Sequence, residues 1–174
     1  MSRVPFADPD AVDDRALVDA ILARRGGKLI DLDRMLLHSP ALARGWNAHL
    51  GQVRTGLALP AKLRELAILA VAVINGADYE FVQHQPVFIS GGGTAAQVEA
   101  LRDIDRALDD TLLFDAAERA VLALAVEMTR DVTVTDATFA VARRELESDQ
   151  AVVEMVGVVA TYNMVSRFLV ALGV

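Results

Sequence analysis

The sequence predicts an all-α fold of about eight helices, in one domain over residues 1–174. Three observations carry this reading. No stretch alternates apolar and polar residues with the period of two that a half-buried strand requires. Ala, Leu and Val recur instead at helical spacing along the whole chain. Helix start and stop signals punctuate that pattern. Ser39-Pro40, Thr94 with Gln97, and Asp115 with Glu118 open helices. Gly26-Gly27, Gly56 and Asn75-Gly76 close them. The length of 174 residues suits a single domain. A chain of this size buries roughly 70% of its unfolded surface, so it folds without a disulfide or metal staple.

Each element follows from local signals. Residues 1–10 hold Pro5 and Pro9 and read as an extended arm. Asp13 or Asp14 caps a first helix that runs to about Arg25. A short helix over Leu29–His38 stops before Ser39-Pro40, with His38 as a capping residue. The next helix reaches about Thr55 and carries Trp46 toward the core and His49 toward the surface. Ala61–Asn75 has almost no polar face after its first turn, the mark of a helix buried on all sides. A further helix begins near Asp78, and Pro86 inside it predicts a kink near His84. Gly91–Gly93 reads as a turn, since no strand precedes it to make a phosphate loop. Thr94 opens a helix to about Leu101, and Asp103–Asp110 reads as a solvated charged stretch. Helices from Asp115 to about Arg130 and from Thr135 to about Leu146 follow. The last helix spans Asp149 to Leu172.

Composition excludes several functions. There are 17 Lys+Arg against 24 Asp+Glu, a net charge of -7. Nucleic-acid affinity rests on a basic face, and none is visible. Cysteine is absent, which removes disulfides, thiolate metal sites and thiol nucleophiles together. The start has no apolar core and predicts no secretory signal. The longest wholly apolar run, Leu66–Ile74, is far shorter than a membrane span. A cytoplasmic protein with no membrane partner is the expectation. Mean hydropathy is +0.34, and excess apolar surface on a small chain predicts a homo-oligomer.

The chemistry-bearing residues concentrate in Leu59–Pro86, within a core motif over 59–90. Glu65 opens an otherwise apolar helix. Glu80 and His84 are four apart and share a helical face. A carboxylate beside an imidazole fixes the ring tautomer and suits acid/base work. The residues alone leave two readings open. Glu80 and His84 are either such a site or a buried pair that orders the turn at Pro86. Glu65 is either its partner or a carboxylate that simply binds a nearby Arg or favours the helix N-terminus.

The same segment resembles the carboxymuconolactone decarboxylase family, which includes the alkylhydroperoxidase D-like proteins. In the thiol peroxidase branch of that family a helix Glu is followed by Cys-x-x-Cys and then a His. Here Glu65 matches the Glu and His84 matches the His, while Ala77 and Glu80 take the two cysteine positions. Tyr79 lies where that branch often has another His. Arg34–Trp46 and Thr161–Val174 extend the resemblance to a cysteine-free subgroup with a YEW-x-x-H motif, which here reads Tyr79, Glu80, Phe81, Val82, Gln83, His84.

The resemblance implies the alkylhydroperoxidase D-like helical fold, assembled as trimers or hexamers. It does not carry over peroxidase activity, because that route runs through thiols this chain lacks. The decarboxylases proper also lack the cysteine pair, but they are usually shorter and differ around the YEFVQH segment, so the resemblance does not transfer their substrate. The expectation drawn from the residues is a lyase-like enzyme that performs thiol-independent acid/base chemistry on a small, acidic lactone or oxo-acid. His84 is the expected acid/base group, polarised by Glu65 or Glu80, with Tyr79 as a hydrogen-bond donor. Arg64 and Arg167 are candidates for a substrate carboxylate, as Arg offers a bidentate fork. Tyr162 and Asn163 are candidates for the pocket wall, or else for interhelical hydrogen bonds. Glu65, Glu80 and His84 also make a partial metal-ligand set. The resemblance requires no metal, and no cofactor is expected. The alternative is a non-catalytic oligomeric binding protein of the same fold.

Overall fold

The computed structural model describes residues 2–174. Among them are ten α-helices, one turn of 3-10 helix at Pro9–Ala11, and no strand. The all-α prediction holds, with more helices than eight. The residues form two compact units, 2–57 with Ala171–Val174, and Ala58–Val170.

The first unit holds α1 (Arg15–Arg25), α2 (Asp31–Leu36) and α3 (Pro40–Thr55). Asp14 caps α1 and Ser39 caps α3, each accepting a backbone N–H three residues on. Trp46 is buried and His49 exposed, as expected. The arm is tied down: the Ala7 N–H donates to the Arg34 carbonyl, and the Arg34 guanidinium lies over the Phe6 ring. His38 caps nothing; its Nε2 bonds the Pro5 carbonyl at 2.7 Å. Helix α2 is shorter than predicted because Ile30 stays extended (ψ 167°), its N–H held by Asp33.

The second unit contains α4 (Ala61–Asn75), α5 (Asp78–Ser90), α6 (Ala95–Ala100), α7 (Ile104–Asp109), α8 (Ala116–Arg130) and α9 (Asp136–Leu146). It also takes α10 (Asp149–Leu172) as far as Val170. Helix α4 is central: Leu66 to Val71 are all fully buried. It packs chiefly against α5 and α8, and α8 packs against α9. A helix apolar on every side needs neighbours on every side, and α4 has them.

Helix α5 does not end at its proline. It runs on to Ser90 with Pro86 inside it. Pro86 has no N–H for the Val82 carbonyl, but Val82 is exposed, where water can serve that oxygen. The chain then turns through Gly91–Gly93. Gly92 has φ +105°, and a Cβ on Gly93 would lie 2.3 Å from the buried Phe88 ring. Asp103–Asp110 is not merely a solvated stretch. Asp103 caps α7, and Ile104 and Ala107 on one face of that helix are buried. Helix α10 is the one helix among the described residues long and apolar enough to cross a membrane. Half of its most apolar window is buried inside the fold.

Candidate active site

Three helices of the second unit bring the site together. Glu65 lies in the second turn of α4 and is 1% exposed. His84 lies mid-way along α5 and is 5% exposed. The Glu65 Oε2 atom sits 2.6 Å from His84 Nδ1. With the carboxylate as acceptor, the ring nitrogen at Nδ1 carries the proton, which leaves Nε2 as the nitrogen on the far side of the ring. The other carboxylate oxygen of Glu65 accepts from Arg64 Nε at 3.3 Å. The glutamate is thus pinned from both sides, by a cation on one oxygen and an imidazole on the other.

Helix α10 supplies the third wall. The Tyr162 ring meets the His84 ring edge-on, with centroids 5.1 Å apart and planes 86° apart. Four residues on, the Ser166 hydroxyl donates to Glu80 Oε1 at 2.8 Å. Glu80 is 2% exposed and Ser166 fully buried. Glu80 and His84 are one turn apart on α5, and Ser166 and Tyr162 are one turn apart on α10. The two contacts therefore form a ladder between antiparallel helices. Glu65 accepts at both carboxylate oxygens and Glu80 accepts the Ser166 hydroxyl at Oε1.

The predicted residues divide clearly. Glu65, His84, Glu80, Tyr162 and Arg64 are brought together. Tyr79 is half-buried on the first turn of α5, and the tyrosine ring against His84 is that of Tyr162. Asn163 is engaged elsewhere. Its amide donates to Thr129 Oγ1 and to the Val159 carbonyl, and its oxygen accepts from Asn75. That engages both amide hydrogens and the oxygen, so Asn163 ties α4, α8 and α10 together, the interhelical role that was its other reading. Arg167 is exposed on a face of α10 that Ser166 does not share. Ser166 escaped the sequence reading. Its only signal is the four-residue spacing from Tyr162, which means nothing until α10 is known to face α5.

No group of three or more His, Asp or Glu side chains among the described residues is placed to hold a metal ion. The oxygens of Glu65 are committed to His84 and Arg64.

Residues 40–112 match the model of the carboxymuconolactone decarboxylase family. The match includes Arg64, Glu65, Glu80 and His84, and ends before α8. No curated protein matches the chain. Among solved structures it is similar to an uncharacterized peroxidase-related protein from Silicibacter sp. TM1040. The TM-score is 0.80 and the identity 22%, over 98% of this chain and 88% of the other. At that identity the likeness shows a shared helical fold. The chain has no cysteine, so the buried Glu65–His84 pair stands with no thiol beside it.

Proposed function

We propose that the chain is a thiol-independent enzyme of the carboxymuconolactone decarboxylase family, with His84 as its general acid/base. The reading rests on one observation above the others: the 2.6 Å contact between the buried Glu65 carboxylate and His84 Nδ1. A carboxylate on Nδ1 orients the ring and stabilises the imidazolium formed when Nε2 takes a proton. Arg64 holds that carboxylate in place. The Tyr162 ring fixes the imidazole plane.

The reaction class is proton transfer at a carbon next to a carbonyl, with or without loss of carbon dioxide. His84 Nε2 removes the proton, or returns one to the carbanion left by decarboxylation. The substrate class is a small lactone or oxo-acid with at least one carboxylate. Arg64, beside the pair, is the cation placed to meet that carboxylate. We read the protein as a cytoplasmic homo-oligomer, on composition and hydropathy alone.

The test is a panel of small lactone carboxylates and 2-oxo acids in deuterated buffer. NMR follows exchange of the carbon-bound proton and release of carbon dioxide. Exchange or decarboxylation by wild type, lost in His84→Ala and cut about a hundredfold or more in Glu65→Gln, supports the reading. No turnover on any member, with native mass spectra showing the same small molecules retained by wild type and His84→Ala, sinks it. The second reading, a binding protein that kept the fold, draws on the depth of the pair, since His84 is only 5% exposed. It predicts retained metabolites and no isotope exchange.

A further inference from the structure

We propose that the Glu65–His84 site takes acids with a single carboxylate and turns away dicarboxylates, with Arg64 as the guanidinium that binds and Glu80 as the carboxylate that repels. The inference rests on the reading of that pair as the active site, and it narrows the substrate class. Arg64 stands beside the pair with its side chain 12% exposed. Its Nε donates to Glu65. Its Nη groups meet no acceptor among the described residues and are not buried. A guanidinium bound only through Nε keeps the other N–H donors of its planar fork, and that fork fits one carboxylate side by side.

The cations on the adjoining turns are committed or turned away. Lys62, one turn before Glu65 on α4, has its Nζ on the buried Glu118. Arg102 lies over the ring of Phe81, next to Glu80, with its Nε on Glu99. Arg167 is exposed on a different face of α10 from the buried Ser166. What adjoins His84 instead is Glu80, buried and held by the Ser166 hydroxyl. Glu80 precedes His84 by one turn, and side chains on a helix lean toward its N-terminus, so the imidazole sits over the Glu80 turn. A second carboxylate on a molecule held at His84 therefore finds a buried acid in place of a cation. A charge taken out of water needs a partner, and like charges in a low-dielectric site repel. The net charge of -7 disfavours a dianion at longer range as well.

The chain has 3 His, and His38 and His49 are exposed, so imidazole nitrogen resonances report the site with controls built in. The probes are 2-oxopentanoate and 2-oxopentanedioate, which share a carbon chain and differ by a terminal methyl against a carboxylate. Each is titrated into protein labelled at the histidine nitrogens. The monocarboxylate is expected to move the His84 resonances and leave His38 and His49 in place, with a dissociation constant about tenfold or more below that of the dicarboxylate. Arg64→Ala is expected to abolish the shift. Glu80→Gln, which keeps an acceptor for Ser166, is expected to narrow the preference to about threefold or less. Equal or tighter binding of the dicarboxylate by wild type overturns the proposal. So does wild type in which neither acid moves His84, or a preference that Glu80→Gln leaves intact. If a variant fails to fold, the wild-type comparison decides. Preferential binding with no proton exchange in deuterated buffer would sink the catalytic reading and leave this inference standing. Equal exchange of both acids would do the reverse.

Discussion

Glu65 on α4 and Glu118 on α8 are 1% and 2% exposed, and each lies near the N-terminus of a long apolar helix. Each also adjoins an arginine, Arg64 before the one and Arg119 after the other. Their partners differ. Glu118 Oε1 takes Lys62 Nζ at 2.6 Å and Gln97 Nε2 at 3.0 Å, and its Oε2 takes the Asp115 N–H at 2.9 Å. An ammonium, an amide and a backbone N–H donate, and none of the three is an imidazole. Glu118 is a knot that joins α4, α6 and α8. Glu65 faces an imidazole, the side chain whose proton is exchangeable at neutral pH. Burial and charge do not distinguish these two carboxylates. Their partners do.

Two substitutions make the contrast measurable. Glu65→Gln keeps the size of the side chain and removes its charge. It is expected to shift the His84 imidazole nitrogen resonances at neutral pH, to cost about 1 kcal/mol in urea unfolding, and to lower turnover about a hundredfold or more. Glu118→Ala strips three donors of their acceptor. It is expected to cost about 3 kcal/mol in the same unfolding experiment, discounted from a fully buried pair because Lys62 is 29% exposed. The His84 resonances should then stay where they are. A Glu118 variant that moved the His84 signals would couple the two regions and erase the distinction.

The sequence made the second of these glutamates the easier to place. Asp115-x-x-Glu118 is a reciprocal capping signal, and both of its hydrogen bonds are present. Helix ends marked by Ser39, Thr94, Gly26 and Gly76 were legible for the same local reason. Helix α7 was not, because only Ile104 and Ala107 are buried in a run of charged residues. The site was half legible. Glu65, Glu80 and His84 announce themselves by type and spacing. Which of the two glutamates meets the imidazole depends on how α4 packs on α5, and the outcome is Glu65 on the ring and Glu80 on Ser166. The fates of Asn163 and Arg167 depended on the rotation of α10, a quantity its nearly uniform apolar pattern hides.

The α8–α9 connection extends the comparison to strain and to pH, with smaller effects. Val132 has φ +67° and is 80% exposed. A β-branched residue in the left-handed region is strained, and an exposed side chain has little packing to lose. Val132→Gly is expected to raise stability by about 1 kcal/mol. An unchanged or lowered unfolding midpoint would show that the side chain is held by something outside this chain.

The last test sets Glu127, at the far end of α8, against the buried pair. Its carboxylate accepts the Thr138 hydroxyl, the Thr135 N–H at 2.7 Å and the Thr135 hydroxyl at 3.2 Å. The Thr138 hydroxyl, and after it the Thr135 N–H, hold its pKa below the ordinary value of 4.5. A carboxyl whose pKa is lower folded than unfolded stabilises the fold above its unfolded pKa. That contribution fades as pH falls through 4.5 toward the folded value. Thermal melts of wild type and Glu127→Gln should differ most above pH 4.5 and converge as pH falls below it. Solvent screens this group, so the gap is expected to be a small shift in melting temperature. A gap that widened on acidification would mean that the carboxylate is not what holds α9 to α8.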